Sequence, residues 1–514
     1  MRTLWVWLGL VLLSIALALA TPFSGIAPFW PAVAALAVIL VTRQAAIGLS
    51  AGVVAGSIII AGGNPLEAVR VIFADHLFPA LGGSWHISAL VFTLLLGAFA
   101  GILESSGGFE RLLGKLLRGS RTPERRVLGS IYGLGLLCFF DGLANSMLTG
   151  RISRDAVDRT GISREKLAWV VDSTSSPVAC VAFISTWIAT QLTLIGDNLP
   201  GLNAYELYFR SIPGNPYCLL TLLLVPLAIF VRWEPGPMRR FQPLTPEGPG
   251  TPRPDSAAWR ALVPLGVLAV CIALSFQIWS GEPIRLFSLN AWREAASGNA
   301  GPIALVAGAI GGLIAAWLCH PNSNERSAGT AAVEGAGGLL PAIVILILAW
   351  SLGSVFEALG AAEAVKGMLG EHVPTAWLPL AVFATAAATA FITGSSWGTM
   401  ALLMPLALGV LDPADAPTIA PAVIGAVFGG AVFGDHASPF SDTTIVSALA
   451  AGCRPFDHVI SQLPYALTAA SAAGAAYLLI AVGIHAALAT AISALGMILA
   501  IVGVSRRQAA NSRS

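Results

Sequence analysis

Long apolar stretches recur along the chain and are separated by short polar segments. A helix needs about 20 mostly apolar residues to cross the hydrocarbon core of a bilayer. We therefore predict membrane-spanning helices near residues 4–20, 26–42, 44–62, 88–106, 167–195, 216–232, 260–280, 302–319, 338–358, 419–450, 462–484 and 487–504. Two further apolar stretches, 127–149 and 375–411, do not fit a single crossing.

The composition requires a lipid environment. Of the 514 residues, 56% are apolar and only 11% are charged, and the mean hydropathy is +0.78. Soluble domains carry about 25% charged residues, so this chain cannot cover a water-facing surface. The net charge of +1 gives no basic field for nucleic acid, and we predict that none binds.

The N-terminus has two interpretations. Met1-Arg2, the apolar run that follows and Ala18-Leu19-Ala20 resemble a signal peptide. We interpret 4–20 as an uncleaved first span, because further membrane segments follow at once.

Basic loops indicate the orientation of the spans. Lys and Arg are concentrated in the loops 110–126 and 150–166, and such loops face the cytoplasm. Since these two loops flank 127–149, this stretch must enter the membrane and return as a re-entrant hairpin, with its turn near Phe140-Asp141-Gly142. Irregular backbone at that depth is tolerated only where protein or water satisfies it.

The same argument extends to the second half. The Pro-rich linker 233–258 carries several arginines and is predicted to be cytoplasmic. If 375–411 is also a hairpin, entering from the opposite side, Arg506-Arg507 ends in the cytoplasm. Both chain termini are then cytoplasmic, in a multi-pass protein of the cell membrane.

The two halves resemble each other at an offset of 253 residues. The offset carries Glu104, Gly107, Glu110 and Gly114 onto Glu357, Gly360, Glu363 and Gly367, and Ser146-Met147 onto Thr399-Met400. Asp172–Pro177 pairs loosely with Asp435–Pro439. By the predicted topology, corresponding segments run in opposite directions, as in the inverted repeats of secondary transporters.

We therefore predict an all-α polytopic membrane protein with about 12 spanning helices, two opposed re-entrant hairpins and an inverted-topology repeat. The predicted parts are N-terminal scaffold helices (1–62), a first repeat with hairpin 127–149 (63–232), the linker (233–258), a second repeat with hairpin 375–411 (259–485), and a last helix with a basic tail (486–514).

Polar residues interrupt the apolar segments at four places, and these are the candidate site. An acidic side chain at the bilayer centre costs about 2.5 kcal/mol or more, so it persists where it pairs, binds an ion or takes up a proton. The candidate ion- and proton-binding residues are Asp141, Asn145, Ser146, Asp172, Thr174, Ser176, Thr393, Ser396, Thr399, Asp435, His436, Ser438, Asp442 and Thr443.

These side chains offer mainly oxygen ligands, which suit a small hard cation. Asp141, Asp172, Asp435 and Asp442 are the candidate Na⁺ ligands, since no Lys or Arg lies within a few residues of the last three. An empty carboxylate in a low-dielectric site tends to hold a proton, and an arriving cation expels it. That competition is the simplest form of antiport.

Structural roles are the alternative for each residue. Asp141 would be a turn residue, and Asp172 and Asp435 would be helix N-caps. His436 would be a hydrogen-bond partner of its neighbours, and Trp187 and Trp397 would serve packing.

The motifs resemble those of the NhaC-type sodium/proton antiporters of the ion-transporter superfamily. The resemblance rests on Asp141–Ser146, on Arg164–Ala168 leading into Asp172-Ser-Thr and Pro177, on Thr393–Thr399, and on Gly434-Asp-His-Ala-Ser-Pro-Phe-Ser-Asp-Thr-Thr444. It implies a scaffold part and a mobile transport part, alternating access and a homodimer.

The resemblance also implies a divided cation site. Asp141, Asn145 and Asp172 would form one half, and Thr393, Ser396, Thr399, Asp435, Ser438 and Asp442 the other. The long linker and the sequence near Ala437 and Phe440 depart from the family pattern and put the selectivity in doubt.

The leading hypothesis is exchange of Na⁺ (or Li⁺) for H⁺. The alternative is a Na⁺- or H⁺-coupled antiporter of a small organic acid of the malate or lactate type, whose carboxylate would meet backbone N–H groups at half-helix starts. An intramembrane enzyme would have only Asp435, His436 and Ser438 to work with, so we predict no enzyme and no cofactor. Na⁺, H⁺ and the lipid bilayer are the predicted partners.

Overall fold

All regular secondary structure in the described part of the chain is helical. The computed structural model describes residues 11–16, 18–19, 27–42, 44–82, 84–108, 111, 123–139, 142–182, 185–199, 202–241, 257–279, 288, 292, 301–321, 327–360, 374–409, 411, 416–439 and 441–511. Asp141, Phe440, most of the basic loop 110–126 and most of the Pro-rich linker lie outside these ranges.

The helices are numbered in chain order. They are α1 Trp30–Thr42, α2 Ala45–Ile60, α3 Pro65–Arg70, α4 Ser84–Ser105, α5 Pro123–Leu137, α6 Gly142–Thr160, α7 Arg164–Val181, α8 Thr186–Asn198, α9 Ala204–Ser211, α10 Pro216–Val231, α11 Trp259–Trp279, α12 Gly301–Cys319, α13 Ala328–Gly337, α14 Leu340–Ala358, α15 Leu378–Thr393, α16 Ser396–Gly409, α17 Ala416–Ala437, α18 Asp442–Ala451, α19 Pro455–Ala481 and α20 Ala486–Asn511. A π-helical segment, Val71–Leu77, and a turn, Phe78–Ala80, continue α3.

Several of these helices are suited to crossing a membrane. Among the described residues, six are long and apolar enough: His86–Ser105, Trp259–Trp279, Thr375–Thr393, Thr418–Ala437, Pro455–Ala481 and Ala486–Arg506. Shorter apolar helices include Ala46–Ile60, Pro216–Val231 and Ile303–Cys319. The predicted all-helical protein with several membrane spans is confirmed.

Two predicted spans are broken in the middle. The stretch 167–195 divides into α7 and α8, and 419–450 divides into α17 and α18. The second break contains Pro439, which lacks an N–H group and disfavours a helical conformation at the residue before it. At the first break, the Tyr208 hydroxyl donates to the Ala182 carbonyl at 2.5 Å, and the Ser185 hydroxyl donates to the Ala179 carbonyl at 2.7 Å.

Helices α5 and α6 form a hairpin that returns to its starting side. Glu124, in the first turn of α5, pairs with Lys166 at 2.7 Å, and Asp158, in the last turns of α6, pairs with Arg164 at 2.9 Å. Because Arg164 and Lys166 share the first turn of α7, both ends of the hairpin meet the same end of that helix. The Asn145 amide donates to the Gly135 carbonyl at 2.7 Å and joins the two arms near the tip.

Helices α15 and α16 form the corresponding pair in the second half. Gly430 of α17 lies against Phe383 and Ala386, and Gly434 lies against Ala390, so α15 and α17 run parallel. Helix α16 also packs on α17, and only residues 410–415 separate these two helices in sequence, so α16 and α17 are antiparallel. Because α17 is parallel to α15, α16 is antiparallel to α15 as well.

The two broken helices run in opposite directions. Arg164, the first residue of α7, donates to the carbonyl of Gly452, just beyond the end of α18, at 3.3 Å. The Ser447 hydroxyl, which comes before Gly452 in sequence, contacts the carboxylate of Asp172, which comes after Arg164. The start of α7 therefore lies beside the end of α18.

The local match between the halves extends to backbone conformation. Gly107 and Gly360 follow α4 and α14 with φ angles of +69° and +71°. Each donates its N–H to the carbonyl of the matching glutamate, Glu104 or Glu357. Only glycine adopts this left-handed conformation without steric cost, which explains why the two glycines share the repeat offset.

Buried apolar side chains form three clusters. The main cluster takes most of its residues from α5, α7–α10, α15–α17, α19 and α20, together with Val157 of α6 and Ala451 of α18. The second is built mainly by α4, α6 and α11–α13, and the third mainly by α1, α2 and α14. Val446 of α18 belongs to the second cluster and Ile445 to the third, so α18 contributes to all three clusters.

Gly430→Ala should destabilise the protein because α15 and α17 touch at this glycine. A methyl group there would lie 2.6 Å from both the Phe383 carbonyl oxygen and the Ala386 methyl group, and overpacking of this kind costs about 1–3 kcal/mol. The thermal unfolding midpoint of the detergent-solubilised protein measures the effect. Gly129→Ala is the matched control, because its methyl group meets open space; an equal midpoint for both variants would contradict the close approach.

Candidate functional site

The helix breaks of both halves lie close together. Gly142, at the start of α6, lies against Ser176 of α7 and Trp187 of α8. The Trp187 ring is 5.2 Å from the ring of Trp397, near the start of α16. The hydroxyl of Ser396 lies beside the Asp435 carboxylate of α17. Polar residues that are distant in sequence therefore surround one region.

The Asp172 carboxylate is the centre of a buried hydrogen-bond network. Thr444 lies 3.1 Å from Oδ2 and Ser447 lies 3.2 Å from Oδ1, both on α18. From α19, the Gln462 amide donates to Oδ2 at 2.6 Å, and His458 Nε2 lies 3.2 Å from the same oxygen. A carboxylate can only accept, so His458 carries its proton on Nε2. Asp172 is fully buried, and its charge is balanced by donors from two helices.

His436 joins α7, α10 and α17 through its two ring nitrogens. Nε2 lies 3.1 Å from the Asp172 carbonyl oxygen, and Nδ1 lies 3.0 Å from the Tyr217 hydroxyl. Because a carbonyl only accepts, Nε2 carries the proton, and a neutral ring accepts the Tyr217 proton at Nδ1. Both nitrogens thus have partners, and the geometry fits the structural alternative for His436.

Asp435 differs from Asp172 in having an open oxygen. Its Oδ1 accepts from the Ser441 hydroxyl at 2.8 Å, whereas Oδ2 has no hydrogen-bond partner. The neighbouring Ser396 hydroxyl is also without a partner, as is that of Ser176. All three side chains are at most 1% exposed. Buried polar atoms without partners are rare in native proteins, and here a carboxylate oxygen is among them.

A short loop of small polar residues continues from Asp435. The Ser441 hydroxyl also lies 3.1 Å from the Thr443 hydroxyl, and the Asp442 carboxylate accepts the Thr443 N–H at 2.7 Å. Asp442 is half-buried. Ser438 is fully buried, and its N–H donates to the Gly434 carbonyl at 2.8 Å.

Other predicted residues use their polar groups within their own helix or hairpin. The hydroxyls of Thr174, Thr393 and Thr399 donate to carbonyls of the preceding turn, and the Asn145 oxygen accepts from Thr149. Ser146 is connected to Asp172 indirectly, since its hydroxyl lies 2.9 Å from that of Ser447. Asp141 lies outside the described residues.

The N-cap interpretation of Asp172 and Asp435 is wrong. Asp172 lies in the middle of α7, and Asp435 lies two residues before the end of α17. The loose pairing of the two aspartates also fails in register, since Asp172 precedes the end of its helix by nine residues.

Several residues of the network were not among the predicted ligands. Thr444, Ser447, His458, Gln462 and Tyr217 are all buried and contact Asp172 or His436. The sequence neighbours of Asp172 do not indicate these partners, since His458 is 286 positions away. The spacing of His458 and Gln462 is the available signal, because polar residues at i and i+4 share one helix face.

The open atoms of the candidate site are oxygens, the ligand type that hard cations prefer. Among the described residues, no group of three or more His, Cys, Asp and Glu side chains is arranged to hold a metal ion. The unpartnered atoms of Asp435, Ser396 and Ser176 are all oxygens, which hard cations prefer.

Buried carboxylates at the meeting point of broken, oppositely directed helices define a class of protein. This arrangement is typical of secondary transporters, which bind their substrates where discontinuous helices meet. Residues 178–484 match the profile of the Na⁺/H⁺ antiporter family. This is more than half of the chain, so the chain belongs to that family, which comprises transporters rather than enzymes. The predicted family and a multi-pass membrane protein are confirmed.

Two relatives come from Haemophilus influenzae. An uncharacterized protein is 28% identical over 510 residues, which cover 93% of this chain and 95% of the relative. An uncharacterized Na(+)/H(+) antiporter is 41% identical over 83 residues, which are 16% of this chain and 17% of the relative.

Two solved transporters share a distant likeness. The Alcanivorax borkumensis YdaH transporter is 17% identical with a TM-score of 0.39, and the match covers 81% of this chain and 88% of that one. Neisseria gonorrhoeae MtrF, described as illuminating a class of antimetabolite efflux pumps, is 14% identical with a TM-score of 0.35, covering 81% and 85%. These scores are too low for either structure to guide the interpretation of the site.

Gln462→Leu should destabilise the protein, because the Gln462 amide donates both to Asp172 and to the His436 carbonyl, at 2.6 Å and 2.8 Å. Leucine has a similar size but leaves both acceptors short of a donor, at a cost of about 1–3 kcal/mol for each buried group. Thermal unfolding midpoints measure the loss. Leu467→Ala, at an exposed position of the same helix, is the control, and an unchanged midpoint for Gln462→Leu would rule out the network.

Proposed function

We propose that this protein exchanges Na⁺ (or Li⁺) for H⁺ across the cell membrane by alternating access. The observation that carries the proposal is the fully buried Asp435 carboxylate, whose Oδ2 has no hydrogen-bond partner. Family membership supports the same pair of ions.

Asp435 has the properties that exchange needs. A buried carboxylate without a compensating charge is costly in its ionised form. Either a proton or a cation relieves that cost, and the two exclude each other at one oxygen. The hydroxyls of Ser396 and Ser176, also without partners, supply neutral oxygens that replace part of the water lost by Na⁺.

Asp172 has a different role in this proposal. Its carboxylate already accepts from α18 and α19, so it has little capacity left for a cation. We assign it to holding the start of α18 in place beside Asp435, and to supplying negative potential to the site. Asp442 is adjacent, and its carboxylate can receive the cation on entry.

The helix directions support an inverted repeat. The hairpin α5–α6 starts and ends beside the first turn of α7, the end at which α18 also terminates. In the proposed topology this end is cytoplasmic, because Arg151, Arg154, Arg159 and Arg164 lie there. The hairpin α15–α16 then enters from outside. The second and third clusters form the scaffold, the main cluster forms the transport part, and the homodimer remains a prediction.

Ion exchange is tested in proteoliposomes that contain a pH-sensitive dye and carry an imposed pH gradient. Addition of Na⁺ or Li⁺ should dissipate the gradient, because each cation that binds displaces a proton, whereas K⁺ should have a smaller effect. Malate and lactate are tested in the same vesicles. Dissipation by an organic acid but not by Na⁺ would replace this proposal by the organic-acid antiporter.

Asp435→Asn and Asp172→Asn should both abolish exchange while the protein still reaches the membrane. At position 435 the amide cannot take up a proton or carry the charge that attracts the cation. At position 172 the amide group would direct a donor toward other donors. Asp75→Asn is the matched control, since Asp75 is exposed and pairs only at the surface. Exchange that persists in both buried variants would make these carboxylates structural.

A further inference from the structure

One face of α6 lies along the second half of α18, from Ser447 to its end. Ser146, Gly150 and Arg154 follow each other at intervals of four residues and therefore share a helix face. The Ser146 hydroxyl lies 2.9 Å from that of Ser447. A methyl group on Gly150 would lie 2.7 Å from that of Ala450, so the two backbones are in close contact there.

Arg154 caps the end of α18. Its Nε donates to the Ala450 carbonyl at 2.6 Å, and its Nη2 donates to the Leu449 carbonyl. The last carbonyls of a helix have no partner within the helix, and the C-terminus carries a partial negative charge. The guanidinium group of Arg154 both donates hydrogen bonds to these carbonyls and places a positive charge beside the partial negative charge of the helix end.

The capped helix carries much of the site. Its side chains Thr444 and Ser447 contact the Asp172 carboxylate, and it begins directly after Ser441, the partner of Asp435. α18 has only 10 residues, and isolated helices shorter than about 12–15 residues are marginal. Its position therefore depends on contacts at its ends and along its face.

We infer that Arg154 is a positioning residue that sets cation affinity from a distance. It fixes α18 to the hairpin α5–α6, and α18 in turn holds the donors of Asp172 and the Ser441 partner of Asp435. About 9 Å of helix separates Ala450 from Thr444 at the helical rise of 1.5 Å per residue, so Arg154 has no contact with the cation. The effect on cation affinity rests on the proposed function, whereas the capping of α18 does not.

The neighbouring arginine has a different function. Arg151 lies one turn earlier, but it pairs with Glu104 of α4 at 3.3 Å and donates to the Gly335 carbonyl of α13 at 3.4 Å. It thus connects α6 to the second cluster and not to α18. The repeat offset places Ala407 at the position that matches Arg154, and alanine has no side-chain donor for a helix end.

Arg154→Gln and Gly150→Ala test the inference from two directions. The first removes the charged cap, and the second pushes α6 away from α18. Each should raise the KM for Na⁺ about tenfold, as expected for the loss of one charge-assisted hydrogen bond, and change the Na⁺/Li⁺ preference with a smaller effect on Vmax. Arg154→Lys keeps one donor and should be intermediate. Arg240→Gln, at an exposed position, is the control.

Hydrogen exchange of the amides of 442–452 in nanodiscs gives a readout that does not depend on the transported ion. Arg154→Gln should increase exchange in this segment and leave α19 unchanged. A normal KM, ion preference and exchange pattern in Arg154→Gln and Gly150→Ala would overturn the inference. If the wild-type protein does not transport Na⁺, the proposed function is wrong, but the capping of α18 by Arg154 is still tested by hydrogen exchange. If Arg154→Gln fails to fold, Arg154→Lys and Gly150→Ala decide.

Discussion

A carboxylate that is buried at membrane depth needs donors, and this need organises the site. Asp172 has no lysine or arginine partner among the described residues. Its two oxygens instead accept from α18 and α19, while its backbone carbonyl accepts from His436 of α17. One residue therefore connects three helices of the second half to α7 of the first, through its side chain to α18 and α19 and through its backbone carbonyl to α17. In a low-dielectric interior, removal of any donor leaves a charge that water cannot solvate.

The broken helices are the second consequence of lipid as solvent. Each break frees carbonyl and N–H groups that a bilayer cannot satisfy. The chain meets this requirement with side chains from elsewhere: Tyr208 donates to a carbonyl at the end of α7, and Thr444 and Gln462 donate to the Asp435 and His436 carbonyls at the end of α17. A break without such partners would leave buried polar groups unsatisfied at a large free-energy cost, so these side chains are part of what allows the helices to break at the candidate site.

The sequence predicted the coarse architecture because its signals are local. A long apolar stretch predicts a span, and Pro439 lies where α17 and α18 are interrupted. The shared offset also located Gly107 and Gly360, since a left-handed turn needs glycine at a given position. Each of these features depends on a few neighbouring residues, so it can be predicted without knowing how the helices pack.

The network around Asp172 was less accessible, because it depends on which helix faces cross. Nothing near Asp172 in sequence indicates His458, and a histidine in a predicted span is ambiguous until its partner is known. The same holds for the hydrogen bonds that the hydroxyls of Thr174, Thr393 and Thr399 make within their own helices. A hydroxyl in a helix commonly bonds to the carbonyl one turn earlier, which only the side-chain geometry reveals. An atom without a hydrogen-bond partner, such as Asp435 Oδ2, likewise cannot be recognised from the pattern of residues in the sequence.

The two halves are similar in helix order, but the contacts between their helices at the candidate site differ in chemistry. On one side, α6 meets α18 through serines, close backbone contact and an arginine cap. On the other side, α8 and α16 meet through the rings of Trp187 and Trp397. Hydrogen bonds depend strongly on distance and angle, whereas several arrangements of two aromatic rings are favourable. The contact between α6 and α18 is therefore the more constrained of the two, because it combines hydrogen bonds, close backbone approach and an arginine cap.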